Sequence, residues 1–245
     1  TLKSEWPLVL FTLLVAILFA VTAAAFVSAP VLDPLTYIAL GVGGLVVSMS
    51  HLGRPLSAWR ALLNVRSSWL SREVVAYSLF LGSSAFFLLL PPIRSIGILS
   101  MLLGLATLVS IDMVYATVER RSTPVEKSGS VVITGILFFA MLAQITPLLI
   151  AILVGKCVVY VRELLKTRQR NLTRLLVSTV RIAAGFAVPL LLLSVQANMW
   201  FVAMFVLIGE SINRAEFYID LDVITPRRQI ERTIAKELSL PATEI

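Results

Sequence analysis

A succession of apolar stretches, each near the roughly 20 residues needed to cross a bilayer, dominates this chain. They run over Pro7–Ser28, Pro34–Ser50, Arg72–Leu90, Ile96–Val118, Val131–Val154, Val180–Val195 and Met199–Ala215. Without water, backbone N–H and C=O groups must be satisfied within the segment, so continuous apolar runs of this kind span as helices. The expected fold is all-α, a polytopic transmembrane bundle of seven spans over 1–218, followed by a charged tail over 219–245. Composition agrees: 14% of residues are charged, against about 25% in a soluble domain. The first run is too long for a signal peptide, and its N-terminal flank carries only Lys3, so it reads as a retained helix.

Two scarce residue types narrow the chemistry. Cys157 is the single cysteine, which excludes a disulfide framework and any iron–sulfur cluster held by this chain, since such clusters need several thiolates. His51 is the single histidine, which excludes the bis-imidazole haems of a membrane cytochrome b. No nucleotide loop, nucleophile triad or metal constellation is present. The net charge of +7 does not point to nucleic acid, because Lys and Arg also gather beside lipid headgroups.

The connections hold most of those charges. Residues 51–72, HLGRPLSAWRALLNVRSSWLSR, separate the second and third runs. Leu56, Trp59, Leu63 and Leu70 fall near one helical face and Arg60 and Arg66 elsewhere, the pattern of a helix lying in the interface with Trp59 and Trp69 at headgroup level. Residues 155–181 hold seven Lys or Arg and read as a cytoplasmic loop. With seven spans the basic residues fall on both faces, and one face is then expected to meet a protein partner as well as lipid.

Ionisable groups at or inside spans are expensive, and each is a functional hypothesis with a structural alternative. His51 closes the second run, where imidazole either caps the helix or accepts a proton near neutral pH. Glu73 opens the third run on the same membrane face, where a carboxylate either complements the helix dipole or relays a proton. Asp112, followed by Tyr115, sits inside the fourth run as a proton carrier or a hydrogen-bond tie to a neighbouring helix. Glu210 and Arg214, four apart on one face, read as a structural ion pair, and Gln144 with Pro147 as a kink in the fifth run.

Three segments carry a family resemblance: EWPL at 5–8, HLGRPLSAWRALLNVRSSWLSRE at 51–73 and GESINRAEFY at 209–218. Together they resemble the membrane anchor subunit of bacterial dimethyl sulfoxide reductase, within the wider group of polysulfide-reductase-like quinone-reactive subunits. The resemblance implies a haem-free subunit in a bacterial or archaeal cytoplasmic membrane. It would bind menaquinol near the outer face and pass electrons directly to a four-cluster iron–sulfur subunit, which in turn serves a molybdopterin catalytic subunit. It assigns His51 and Glu73 to the quinol site and places the Arg-rich 51–72 loop, with Arg60 and Arg66 as docking residues, under the iron–sulfur subunit. Arg54, which would orient the site or dock the partner, and Asp112 and Tyr115 are read from the sequence as further quinol contacts. The family has eight helices with both termini on one side, one more than the seven read here. Met113 stands where relatives often carry Arg.

Three other readings remain open. The same site could reduce quinone with electrons from a related dehydrogenase. A purely structural anchor would bind no quinone. A small transporter would need a polar path at mid-membrane, where the sequence offers mainly Asp112 and Gln144.

Overall fold

The structure, a computed structural model, describes residues 2–28, 31–50, 64–90, 93–118, 130–166 and 172–220. Among the described residues the chain is helical, with no strand. The helices are α1 (Leu2–Val27), α2 (Pro34–Ser50), α3 (Trp69–Leu89), α4 (Arg94–Val118), α5 (Val131–Leu142), α6 (Thr146–Lys166), α7 and α8 (Met199–Asp220). Helix α7 runs over Leu172–Ile182, continues through a π-helical stretch Ala183–Ala187 and ends over Val188–Ser194. Four helical segments among the described residues are long and apolar enough to cross a bilayer: Trp6–Val27, Trp69–Leu89, Arg94–Ala116 and Leu175–Ser194. Pro34–Met49 and Val131–Leu142 are apolar but shorter.

Among the described residues the expected seven spans are corrected to eight helices, and the cause is local. The run read as one span over Val131–Val154 breaks at Gln144, whose φ is 54°. Gln144 N–H donates to Met141 C=O at 3.2 Å and Ile145 N–H to Ala140 C=O at 2.9 Å, the paired bonds of a Schellman helix end. Pro147 then stands in the first turn of α6, where its missing N–H costs nothing. What reads as a kink is a full reversal. The 12 residues of α5 extend roughly 18 Å at 1.5 Å per residue, short of the roughly 30 Å hydrocarbon core. Gln196 (φ 51°) closes α7 by the same device.

The segment 155–181 is corrected as well. Residues 155–166 are the second half of α6 and 172–181 open α7, so neither is loop. Of the interfacial stretch read at 51–72, residues 69–72 are the first turn of α3; 51–63, with His51, Arg54 and Arg60, lie outside the described residues, as does the tail beyond 220.

Successive helices run antiparallel. Late in α1, Thr22 meets Tyr37 at the start of α2, hydroxyl to hydroxyl at 2.9 Å. Tyr77, early in α3, donates to Gly41 C=O of α2 at 2.8 Å. Phe26 and Phe87, at the ends of α1 and α3, close over Gly97 at the start of α4. Helix α1 lies at the centre, with Val15, Ala16, Leu18, Ala20 and Ala24 fully enclosed. Asp33 opens α2 by accepting Thr36 N–H at 2.8 Å and its hydroxyl at 2.7 Å; these donations, the hydroxyl's first, hold the exposed carboxyl below its usual value.

Among the described residues, the eight antiparallel helices bring the start of α1 and the end of α8 to one side. Tyr218 near the end of α8 reaches back to Leu8 C=O of α1 at 3.5 Å. The same side holds the start of α3, the end of α4 and the start of α5.

Candidate functional site

Helix α3 is started by Ser68, an extended residue (φ −116°, ψ 124°) whose hydroxyl accepts Ser71 N–H, an ordinary N-cap. Arg72 then folds back over the incoming chain. Its guanidinium donates to Val65 C=O at 2.9 Å and Arg66 C=O at 2.7 Å and sits 4.3 Å from the centre of the Trp69 ring. These contacts fix residues 64–68 against the helix, while the Arg66 side chain stays exposed. The buried face of α3 runs through Glu73, Tyr77, Phe80, Ser84 and Phe87, the three- and four-residue spacing of one helical stripe.

Glu73 is thereby turned inward at the first turn of α3. It is 9% exposed, and among the described residues nothing hydrogen-bonds or ion-pairs with its carboxyl. Close enough to feel its charge are Tyr115 of α4 and Tyr218 of α8. Those two hydroxyls meet at 2.6 Å, and the two rings stand edge to face at 5.4 Å. Phe217 packs edge-on to Tyr115, also at 5.4 Å, so the Phe217–Tyr218 pair wraps one tyrosine of α4. A buried carboxyl is costly to leave unpaired, and this one, unpartnered among the described residues, lies within electrostatic reach of the two tyrosines at the mouth of the bundle. A ligand offering a hydroxyl or carbonyl to Glu73 and a flat face to the rings fits this chemistry.

Asp112 does something different. Its carboxylate accepts the Ser130 hydroxyl at 2.6 Å, Val131 N–H at 2.7 Å and Val132 N–H at 3.2 Å. These are free donors at the start of α5, where a negative charge is favoured. Asp112 therefore joins the end of α4 to the start of α5, the tie to a neighbouring helix that was the structural alternative.

A second polar group lies deeper. Glu210 accepts from the Lys156 ammonium at 2.7 Å, from the Thr134 hydroxyl at 2.7 Å and from Asn213 at 3.4 Å. Arg214 joins by donating to Thr134 Oγ1 at 3.2 Å. Lys156, Glu210 and Arg214 are 3%, 4% and 1% exposed. The expected i,i+4 pairing of Glu210 with Arg214 is thus one part of a cluster whose close ion pair is Lys156–Glu210, drawn from α6 and α8. Nearly two turns further along α8, Arg181 of α7 binds Glu216 at 2.8 Å and stacks 3.6 Å above the Tyr160 ring, and the Tyr160 hydroxyl reaches both Glu216 oxygens at 3.2 Å. The approach of α7 to α8 rests on backbone contact: a Cβ on Gly209 would lie 2.2 Å from Gly185 Cα.

Sequence reasoning named Glu73, Asp112, Tyr115, Glu210 and Arg214. The structure gathers Glu73 and Tyr115 at one site, assigns Asp112 to a helix end, and puts Glu210 and Arg214 in the deeper cluster. Reasoning from sequence missed Lys156, Thr134, Arg181 and Tyr218. The signal for Lys156 was available: it interrupts the apolar ILVG and CVVYV.

Fold and site define a class, a multi-pass helical membrane protein with ionisable groups gathered toward one end. The chain belongs to the DMSO reductase anchor subunit (DmsC) family, whose sequence pattern matches residues 2–209. It is also similar to a subunit of the sulfite dehydrogenase of Allochromatium vinosum, 36% identical over 96 residues that cover 32% of this chain. That match spans 30% of the relative's own length. No solved structure matches the chain.

Proposed function

We propose that this chain is the haem-free membrane anchor and quinol-oxidising electron-transfer subunit of a molybdenum oxidoreductase, passing electrons from menaquinol to an iron–sulfur partner subunit. The observation that carries the reading is Glu73: a buried carboxyl, unpartnered among the described residues, beside Tyr115 and Tyr218 and shortly after the segment containing His51. Family membership supplies the context of an anchor within an oxidoreductase complex.

Oxidation of a quinol to a quinone releases two electrons and two protons. In this reading the electrons go to the nearest cluster of the iron–sulfur subunit and onward to a molybdopterin catalytic subunit. The protons leave through this chain's residues: His51 accepts one from a quinol hydroxyl, and Glu73 hydrogen-bonds the ring oxygen and takes the other. Tyr115 and Tyr218 shape the aromatic wall, Arg54 orients the ring or the partner, and Arg60 and Arg66 dock the partner. Asp112, with its carboxylate already engaged at α5, holds the wall in place and takes no proton.

The test uses the assembled complex. His51→Ala and Glu73→Gln should abolish quinol-dependent turnover while leaving assembly and turnover driven by a soluble dye intact. Unchanged quinol oxidation in both variants would reject the assignment. Quinone-analogue titration separates the purely structural anchor, which predicts no binding. One observation favours the reverse direction: the similar protein from Allochromatium vinosum is named as part of a dehydrogenase. The same residues would then deliver protons to a quinone, and the rates of quinol oxidation and quinone reduction decide between the two.

A further inference from the structure

The reversal at Gln144 redistributes the charges of the whole chain. With eight antiparallel helices, the connections α2–α3, α4–α5 and α6–α7 all join helix ends on the Glu73 side. Contacts among the described residues fix this: Asp112 to Val131 for α4 and α5, Tyr160 and Arg181 to Glu216 for α6 and α7, and Tyr218 to Tyr115 for α8. In sequence, 51–68 carries three Lys or Arg, 119–129 three and 167–171 two. The opposite connections are nearly bare. Residues 28–33, 143–145 and 195–198 contain no Lys or Arg, and Arg94, flanking 90–93, is the basic residue of that side. The even spread that seven spans would give becomes a strong one-sided excess.

Positive charge in short connections is retained on the cytoplasmic side during insertion, and it is Lys and Arg, not net charge, that count. Each of the three connections is short enough for the rule to apply. Docking of a partner accounts for arginines in 51–68, the segment leading into Glu73. It does not account for the absence of Lys and Arg from three of the four opposite connections, where headgroups would accept them equally well.

We infer that the end of the bundle bearing Glu73 faces the cytoplasm, opposite to the outer-face placement that the family resemblance implies. Resting on the function proposed above, the iron–sulfur subunit then docks from the cytoplasm through an acidic surface that complements this basic end. Protons of the quinol reaction are exchanged with the same compartment.

Two exposed serines mark the ends, Ser28 on the bare side and Ser67 on the basic side. In a Cys157→Ser background, Ser28→Cys and Ser67→Cys are expressed separately in the full complex and treated with a membrane-impermeant maleimide. Labelling of Ser28→Cys in intact spheroplasts, with Ser67→Cys protected until the membrane is opened, is the expected result. The reverse pattern overturns the inference and leaves the basic end as a docking face on the outside. If a partner shields Ser67→Cys under both conditions, Ser28→Cys alone decides: labelled in intact spheroplasts it supports the inference, labelled only after opening it refutes it. The quinol assay of His51→Ala reads the chemistry separately, so failure of one does not imitate failure of the other.

Discussion

Lys156 and Glu210 test how a bundle tolerates charge at depth. Glu210 lies eleven residues into α8, roughly 16 Å from its start at 1.5 Å per residue, so the pair sits near the middle of the helix. Removing one partner strands the other: Lys156→Met should destabilise the protein by about 3–5 kcal/mol, read as a lowered thermal midpoint in detergent. The double variant Lys156→Met/Glu210→Leu should recover much of that loss, because no charge is left uncompensated; equal losses in both would show that the pair acts as packing alone. Of these residues, Glu73 and Glu210 were legible because each interrupts or bounds an apolar run. Lys156 gave the same signal, but it fell at the edge of a basic stretch and was read with it. Tyr218 could not be placed, since nothing local announces a contact with Tyr115, 103 residues away. For Asp112 the residue was legible and the role was not, because its partners lie 18 to 20 residues on, across a connection.

At the scale of elements, the first four helices match the sequence reading to within a few residues, because apolar length and turn residues agree there. The fifth did not. The reversal contains no glycine, and a glutamine in the left-handed region is uncommon enough that an apolar window runs straight through it. The π-helical stretch of α7 had no sequence signal beyond small residues, yet it carries Gly185 onto Gly209. Gly209→Ala is the sharper test of that contact. A Cβ there meets backbone, which cannot rotate away, so overpacking should cost at least about 1–3 kcal/mol and separate α7 from α8. The expected readout is a lowered thermal midpoint together with faster proteolysis in the Arg181–Glu216 region. An unchanged midpoint would mean that the two helices can part without loss.

Taken whole, the molecule has two unlike ends. One gathers Glu73, the tyrosine pair, the Asp112 tie and nearly all basic connections; the other is closed by two glutamine reversals and an Asp33 cap. Seven spans would have parted Glu73 from the end of α8 that bears Tyr218; the eighth helix brings them together, which is why a single break at Gln144 mattered more to the topology than any other residue. The Asp112 tie has a consequence for how the chain can be cut. Because the α4 carboxylate grips three donors at the head of α5, the covalent path through 119–129 is redundant once the bundle has formed. A protease site inserted there should yield two pieces that still migrate as one particle in mild detergent, because α1 packs against both α5 and α8, and the same cut in an Asp112→Ala background should lower the detergent concentration at which they part. The protein is in that sense already stitched as two halves, with hydrogen bonds reinforcing a seam of packed helices.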